Sequence, residues 1–217
     1  PNTKWKKNNL GKGWVLGETL ITGIGQGYTQ TTPLQLCMMT AQIANGGFAV
    51  KPKIIVDSNP ISYEDAKQSM ESGLLFDTDS EELLDKKLFK NQKNIKIVQE
   101  AMFASTNERF GTSYKSRIDD PKYQFAGKTG TAQVKRISKR ERELDLELEQ
   151  IPYKDRDHAL YVAYGPYVNP RYALSIIIEH GGSGSKAAAP IAKKLFKLII
   201  DRHELRNKQS NFERITI

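Results

Sequence analysis

Lys128, Thr129, Gly130 and Thr131 stand together in the run Phe125-Ala126-Gly127-Lys128-Thr129-Gly130-Thr131-Ala132-Gln133-Val134. A cation, two hydroxyls and a position without a side chain on one extended segment suit a site that holds a carboxylate beside a reacting carbonyl. Alternate side chains of a strand face opposite ways, so Thr129 and Thr131 share one face and Lys128 and Gly130 the other. The two hydroxyls can hold a carboxylate, and Gly130 leaves room for close approach. The Thr131 backbone N–H can donate to a developing oxyanion, a contact worth about 3 kcal/mol in the transition state. K-T-G alone is a weak signal, because three residues recur by chance.

Acyl transfer also needs a nucleophile and a base. Ser183-Gly184-Ser185-Lys186 has the spelling S-x-x-K, and Ser105-Thr106-Asn107 has the spelling S-x-N. The first follows K-T-G and reads as the entry to a helix. The second falls at a helix end, where Ser, Thr and Asn serve as caps and turns. Both are expected to be bystanders. No metal spacing connects His158, His180 and His203, and no metal or cofactor is expected. Cys37 reads as a packing thiol. Gly23-Ile24-Gly25-Gln26-Gly27 is close to a dinucleotide loop, but that pattern needs glycine at the place of Tyr28.

These groups need elements to position them. Thr32, Pro33 and Gln35 spell a capping box with proline in the first turn, so a helix is predicted there, ended by Asn45-Gly46-Gly47. Phe48 to Val56 alternates like a strand, limited to an edge by Pro52. A short helix is predicted from Glu81 to Phe89, within a polar stretch 57–94 that reads as an insertion or lid. Ile95, Val98 and Met102 predict a helix to about Ser105. Tyr123 to Val134 reads as strand. Lys135 to Gln150 reads as a solvent-exposed charged connection. His158 to Tyr164 and Tyr172 to Glu179 predict an antiparallel hairpin, and a last helix is predicted from Lys186 to about His203. The expected class is α+β, an antiparallel sheet flanked by helices. The segments are 1–56, a helical part with the Gly-rich loop, then the 57–94 insertion and 95–134 with the K-T-G strand. They continue with the 135–157 connection, the hairpin and helix over 158–203, and a tail over 204–217.

With 217 residues, 38% hydrophobic and 27% charged, the chain can bury one substantial core. No stretch reaches the roughly 20 apolar residues of a membrane helix. The net charge of +8 gathers near both ends. Without aromatic-basic interleaving it reads as solvated faces, and no nucleic-acid partner is expected. Pro1 to Lys12 offers no element able to start a core, and the chain is read as a piece of something longer.

Three segments match one family in order and spacing: Gly17-Glu18-Thr19 with Ile24 to Gly27 and Thr32 to Gln35, the Gly127 to Val134 run, and His158 to Gly182 ending Glu179-His180-Gly181-Gly182. They resemble the C-terminal part of the transpeptidase domain of class B penicillin-binding proteins, most closely the cell-elongation branch. The resemblance implies a serine D,D-transpeptidase that cross-links peptidoglycan stem peptides and is trapped by β-lactams. It also implies a SEDS-type glycan polymerase as partner, and an inner-membrane protein whose transpeptidase domain is periplasmic. Lys128, Thr129 and Gly130 take the place of the family's third motif, with Thr131 supplying an oxyanion donor and a hydroxyl for the substrate carboxylate. The family's S-x-x-K and S-x-N precede that motif and are absent here, so the chain by itself is expected not to react with penicillin. The other reading is a non-catalytic remnant or scaffolding module of the cell-wall complex.

Overall fold

A computed structural model describes residues 1–52, 87–135, 144 and 146–215, with side chains described up to Arg206. Three strands form the sheet: β1 (Ala126–Ala132), β2 (His158–Gly165) and β3 (Tyr172–Ile178), antiparallel in the order β1-β2-β3. The predicted hairpin is β2–β3, in register from Ala159 opposite Ile178 to Gly165 opposite Tyr172. β1 joins the other side of β2, with Thr129 opposite Tyr161 and Gly130 opposite Leu160. This mixed architecture of helices on an antiparallel sheet is the class read from the sequence.

The helices are α1 (Thr3–Leu10), α2 (Leu16–Gly23), α3 (Pro33–Ala44), α4 (Gln92–Asn107) and α5 (Ala189–Ile215). α3 begins as its sequence dictates: Thr32 accepts from the Gln35 backbone N–H, and the Gln35 side chain accepts from the Thr32 N–H. Cys37, half-buried on α3, donates to the Ala173 carbonyl, and burial pushes its thiol up.

Each face of the sheet has its own core. On one, Phe125, Tyr161, Ala163, Ala192, Phe196 and Ile200 are buried together, with Phe125 stacked on Phe196 at 4.8 Å between ring centroids. On the other, Met102 of α4, Ala126 and Tyr164 pack with Ile43 of α3 and Phe103. The period of 2 along β2 sends Tyr161 and Ala163 to the α5 side and Val162 and Tyr164 to the α3–α4 side.

Several expectations need correcting. Pro1 to Lys12 does hold a helix, although, as expected, it starts no core, only Lys6 of it being buried: Asn2 caps α1 by accepting from the Trp5 N–H, and Gly11 ends it in the left-handed region at φ 65°. Its fixing contact is tertiary, because buried Lys6 pairs with Glu18 of α2 and holds that carboxyl below its ordinary range. The strand predicted from Phe48 is only a single bridge, Phe48 to Lys87, within the described residues. Residues 53–56 lie outside them. So do 81–86 of the helix predicted from Glu81, while 87–89 are not helical. The last helix runs beyond His203 to Ile215, and its entry is a wider π turn over Gly184–Ala188.

Candidate active site

β1 carries Lys128, Thr129, Gly130 and Thr131 along one edge of the sheet. Lys128 and Thr131 are exposed, and Thr129 and Gly130 half-buried. Residues of an antiparallel strand alternate between those whose N–H and C=O face the partner strand and those that face away. The Thr129 carbonyl accepts from Lys128 Nζ at 2.8 Å, and the Thr131 carbonyl accepts from Gln26 Nε2 at 2.8 Å. Both carbonyls are taken by side chains, which places Thr129 and Thr131 in the set facing the open edge. Lys128 Nζ also lies 3.4 Å from the Thr129 hydroxyl, which in turn is 3.3 Å from the Thr112 hydroxyl.

The strand is held from behind. Tyr161, opposite Thr129, is fully buried, and its hydroxyl lies 2.9 Å from Thr106 Oγ1 and 3.0 Å from Ser113 Oγ. Ser113 donates to the Ser105 carbonyl at 3.0 Å. A chain in which Thr106 donates to Tyr161 and Tyr161 to Ser113 therefore gives each of the three hydroxyls an acceptor. Burial pushes the Tyr161 phenol up. A Cβ on Gly127 would lie 2.3 Å from the Tyr161 hydroxyl, so the ring tip presses on the backbone one residue before Lys128. Tyr161→Phe is expected to cost about 1–2 kcal/mol, since Ser113 loses its donor and Thr106 keeps only long contacts. A guanidinium unfolding midpoint reads it, and an unchanged midpoint would refute the network.

Two further contacts fix the ends. Asn107 Nδ2 donates to the Phe125 carbonyl at 2.9 Å and to the Phe103 carbonyl at 3.0 Å. The asparagine of the S-x-N spelling thus ties α4 to the start of β1. Ser183, of the S-x-x-K spelling, has its hydroxyl 3.0 Å from Ser185 Oγ, and the Lys186 backbone N–H donates to the Ser183 carbonyl at 3.2 Å. Its neighbour Gly184 packs on the sheet: a Cβ there would be 2.3 Å from the Leu160 carbonyl oxygen and 2.9 Å from that of Gly130.

Sequence reasoning assigned the Gly23 to Gly27 loop no part in this site, yet Gln26 reaches β1 across 105 residues. The available signal was the pair of flanking glycines. Gly25 and Gly27 have φ of 77° and 75°, a conformation that fixes where the intervening side chain points. It also saw no link among the histidines. The His180 N–H donates to His158 Nδ1 at 2.9 Å and the rings meet edge to face, with His180 itself at φ 56°. The described residues 146–157 of the connection are not merely solvated either. Leu148 fills the space where a Gly182 side chain would stand, and a cleft of 630 Å³ opens between that segment and the 181–186 turn.

Residues 3–197 match the penicillin binding protein transpeptidase domain. The chain belongs to that family. Relatives include the peptidoglycan D,D-transpeptidase MrdA of Salmonella typhimurium, 31% identical over 205 residues, and that of Haemophilus influenzae, 30% identical over 207. Each alignment covers 93% of this chain but only 30% and 29% of the relative, so the chain spans under a third of their length. Among solved structures, the complex of Helicobacter pylori penicillin-binding protein PBP2 with MreC superposes with a TM-score of 0.65 at 32% identity. It covers 91% of this chain and 31% of that one. Pseudomonas aeruginosa PBP2 in complex with WCK 5153 gives 0.64 at 31% identity, over 91% and 37%. Within this fold the K-T-G residues lie on the edge strand β1. Among the described residues, no helix is long and apolar enough to cross a membrane.

Proposed function

We infer that this chain forms the substrate-holding wall of a peptidoglycan D,D-transpeptidase whose nucleophilic serine lies in another part of a longer protein. The observation that carries the reading is β1: Lys128 stands on an open edge strand whose Thr129 and Thr131 backbone groups face outward. An extended peptide can pair with that edge by displacing the Lys128 and Gln26 side chains from the Thr129 and Thr131 carbonyls, its terminal carboxylate held by the Thr129 and Thr131 hydroxyls beside the Lys128 ammonium. The Thr131 N–H then donates to the oxyanion.

In the reaction the serine oxygen bonds to the carbonyl of the penultimate residue, and the terminal D-alanine leaves with the proton on its amine. The amine of a neighbouring stem peptide then attacks the ester, its new C–N bond forming as the serine C–O bond breaks. Lys128 stabilises charge at the motif's neighbouring groups and moves no proton in this scheme. β-Lactams acylate the same serine. No cofactor is used. The partner is a SEDS-type glycan polymerase, and the longer protein is anchored in the inner membrane with this domain in the periplasm.

The exposed side of α2 and its C-cap supports the longer protein. Leu16 and Leu20 of α2 and Ile24 just after it are 80%, 70% and 77% exposed, an apolar surface that suits burial against the remainder of the domain. Fluorescent penicillin applied to this chain and to the longer protein tests the reading. Only the longer protein is expected to be labelled, with the adduct mapping by mass spectrometry to a serine outside residues 1–217. Absence of labelling in the longer protein, or an adduct on Ser105 or Ser183, would refute it.

A further inference from the structure

A second cleft, of 840 Å³, lies between the start of α5 and the segment following α4, and six cations line it: Arg109, Lys115, Lys186, Lys193, Lys194 and Lys197. Among the described residues, no carboxylate does. From Gly184 to Ile200 the chain has four lysines and no acidic residue. The first acid of α5, Asp201, is already engaged by Lys122 at 3.2 Å and by the Tyr123 hydroxyl at 2.5 Å. None of the six cations makes an ion pair among the described residues. Like charges gathered in a concave surface raise the local potential and destabilise the free protein, a term that an anionic occupant reverses.

The cleft is continuous with the site. Thr112 lines it and lies 3.3 Å from the Thr129 hydroxyl, and Lys186 follows the Gly184 turn that packs on Gly130. Thr112 thus joins the cleft to Thr129, the residue read above as holding the departing carboxylate. By microscopic reversibility the incoming amine of the second strand enters where the leaving amine went out. We propose that this basic cleft is the subsite for the acceptor strand, binding the free carboxylates of an acidic stem peptide while its amine is aimed at the acyl-enzyme. The assignment rests on the transpeptidase reading above. Its chemistry is complete with what that reading supplies: the amine forms the amide as the ester C–O bond breaks, and the amine's proton ends on the serine oxygen.

The longer protein, wild type and Lys193→Glu/Lys194→Glu, is acylated with a thioester donor peptide. It is then offered two acceptors, a peptide with free carboxylates and the same peptide amidated. In the wild type the ratio of aminolysis to hydrolysis is expected to favour the carboxylate acceptor. In the variant that ratio falls about tenfold and the preference over the amidated peptide disappears. Penicillin acylation stays within about twofold, which shows that the variant is folded and its K-T-G wall intact. An unchanged ratio, or an equal fall for both acceptors, overturns the subsite. So does a variant defective in penicillin acylation if Lys194→Ala, which adds no new charge, leaves the ratio unchanged. A variant that loses only co-sedimentation with phosphatidylglycerol vesicles also overturns it, in favour of a membrane-facing surface. Failure of the wild type to react with penicillin is a separate result, and removes the transpeptidase reading itself.

Discussion

Gly184→Ala in the longer protein is expected to lose about 3 kcal/mol or more of stability. The new methyl would stand 2.3 Å from the Leu160 carbonyl oxygen, 2.9 Å from that of Gly130 and 3.3 Å from the Gly130 nitrogen. All three are backbone atoms in the middle of two paired strands, so no rotamer change relieves the clash. Either α5 lifts from the sheet, opening the core around Phe196, or β1 and β2 separate at Gly130. The second outcome would also slow acylation by penicillin, because Gly130 is the glycine of K-T-G. Gly23→Ala is the control, since its Cβ would meet nothing within 4 Å, and it should shift the guanidinium midpoint by less than about 1 kcal/mol. Equal midpoints for the two variants would show that Gly184 does not carry this contact.

Lys128→Ala should act on chemistry and leave folding alone. The side chain is exposed, and its hydrogen bonds go to the Thr129 carbonyl and hydroxyl of its own strand. Its removal therefore leaves no buried group without a partner. What disappears is the positive charge at the wall, and the second-order rate of acylation by fluorescent penicillin should fall about 10²–10³-fold, the range seen when one preorganised donor is removed from an acyl-transfer site. The thermal midpoint should be unchanged. A fall of less than about fivefold would mean that K-T-G contributes shape and not charge to this site.

Where the determining interactions are local, the sequence was sufficient. Thr32, Pro33 and Gln35 set the start of α3 within four residues, and the alternation in His158 to Tyr164 and Tyr172 to Glu179 brought out the hairpin. The motif strand and the mixed fold were legible for the same reason. α1 was not, because six of its eight residues are polar and the ion pair from Lys6 to Glu18 that seats it joins two helices. The end of α5 was missed where its apolar spacing stops after Ile200, although the backbone continues helical to Ile215. Gln26 was invisible as part of the site because nothing local points a glutamine at a carbonyl 105 residues away. Thr106, Ser113 and Tyr161 have no periodic pattern in common. They meet only when α4, the segment after it and β2 close behind β1.

The hold on β1 bears on how drug resistance could arise. Asn107 grips its start, Tyr161 presses behind Gly127, Gly184 packs on Gly130, and Gln26 binds the Thr131 carbonyl. An inhibitor recognised by that edge meets a surface whose backbone the protein cannot reshape without unfolding. Selection under antibiotic should therefore leave the glycines and the buried hydroxyls untouched, and escape should come through exposed side chains that border the strand, where a change in access does not disturb the wall itself.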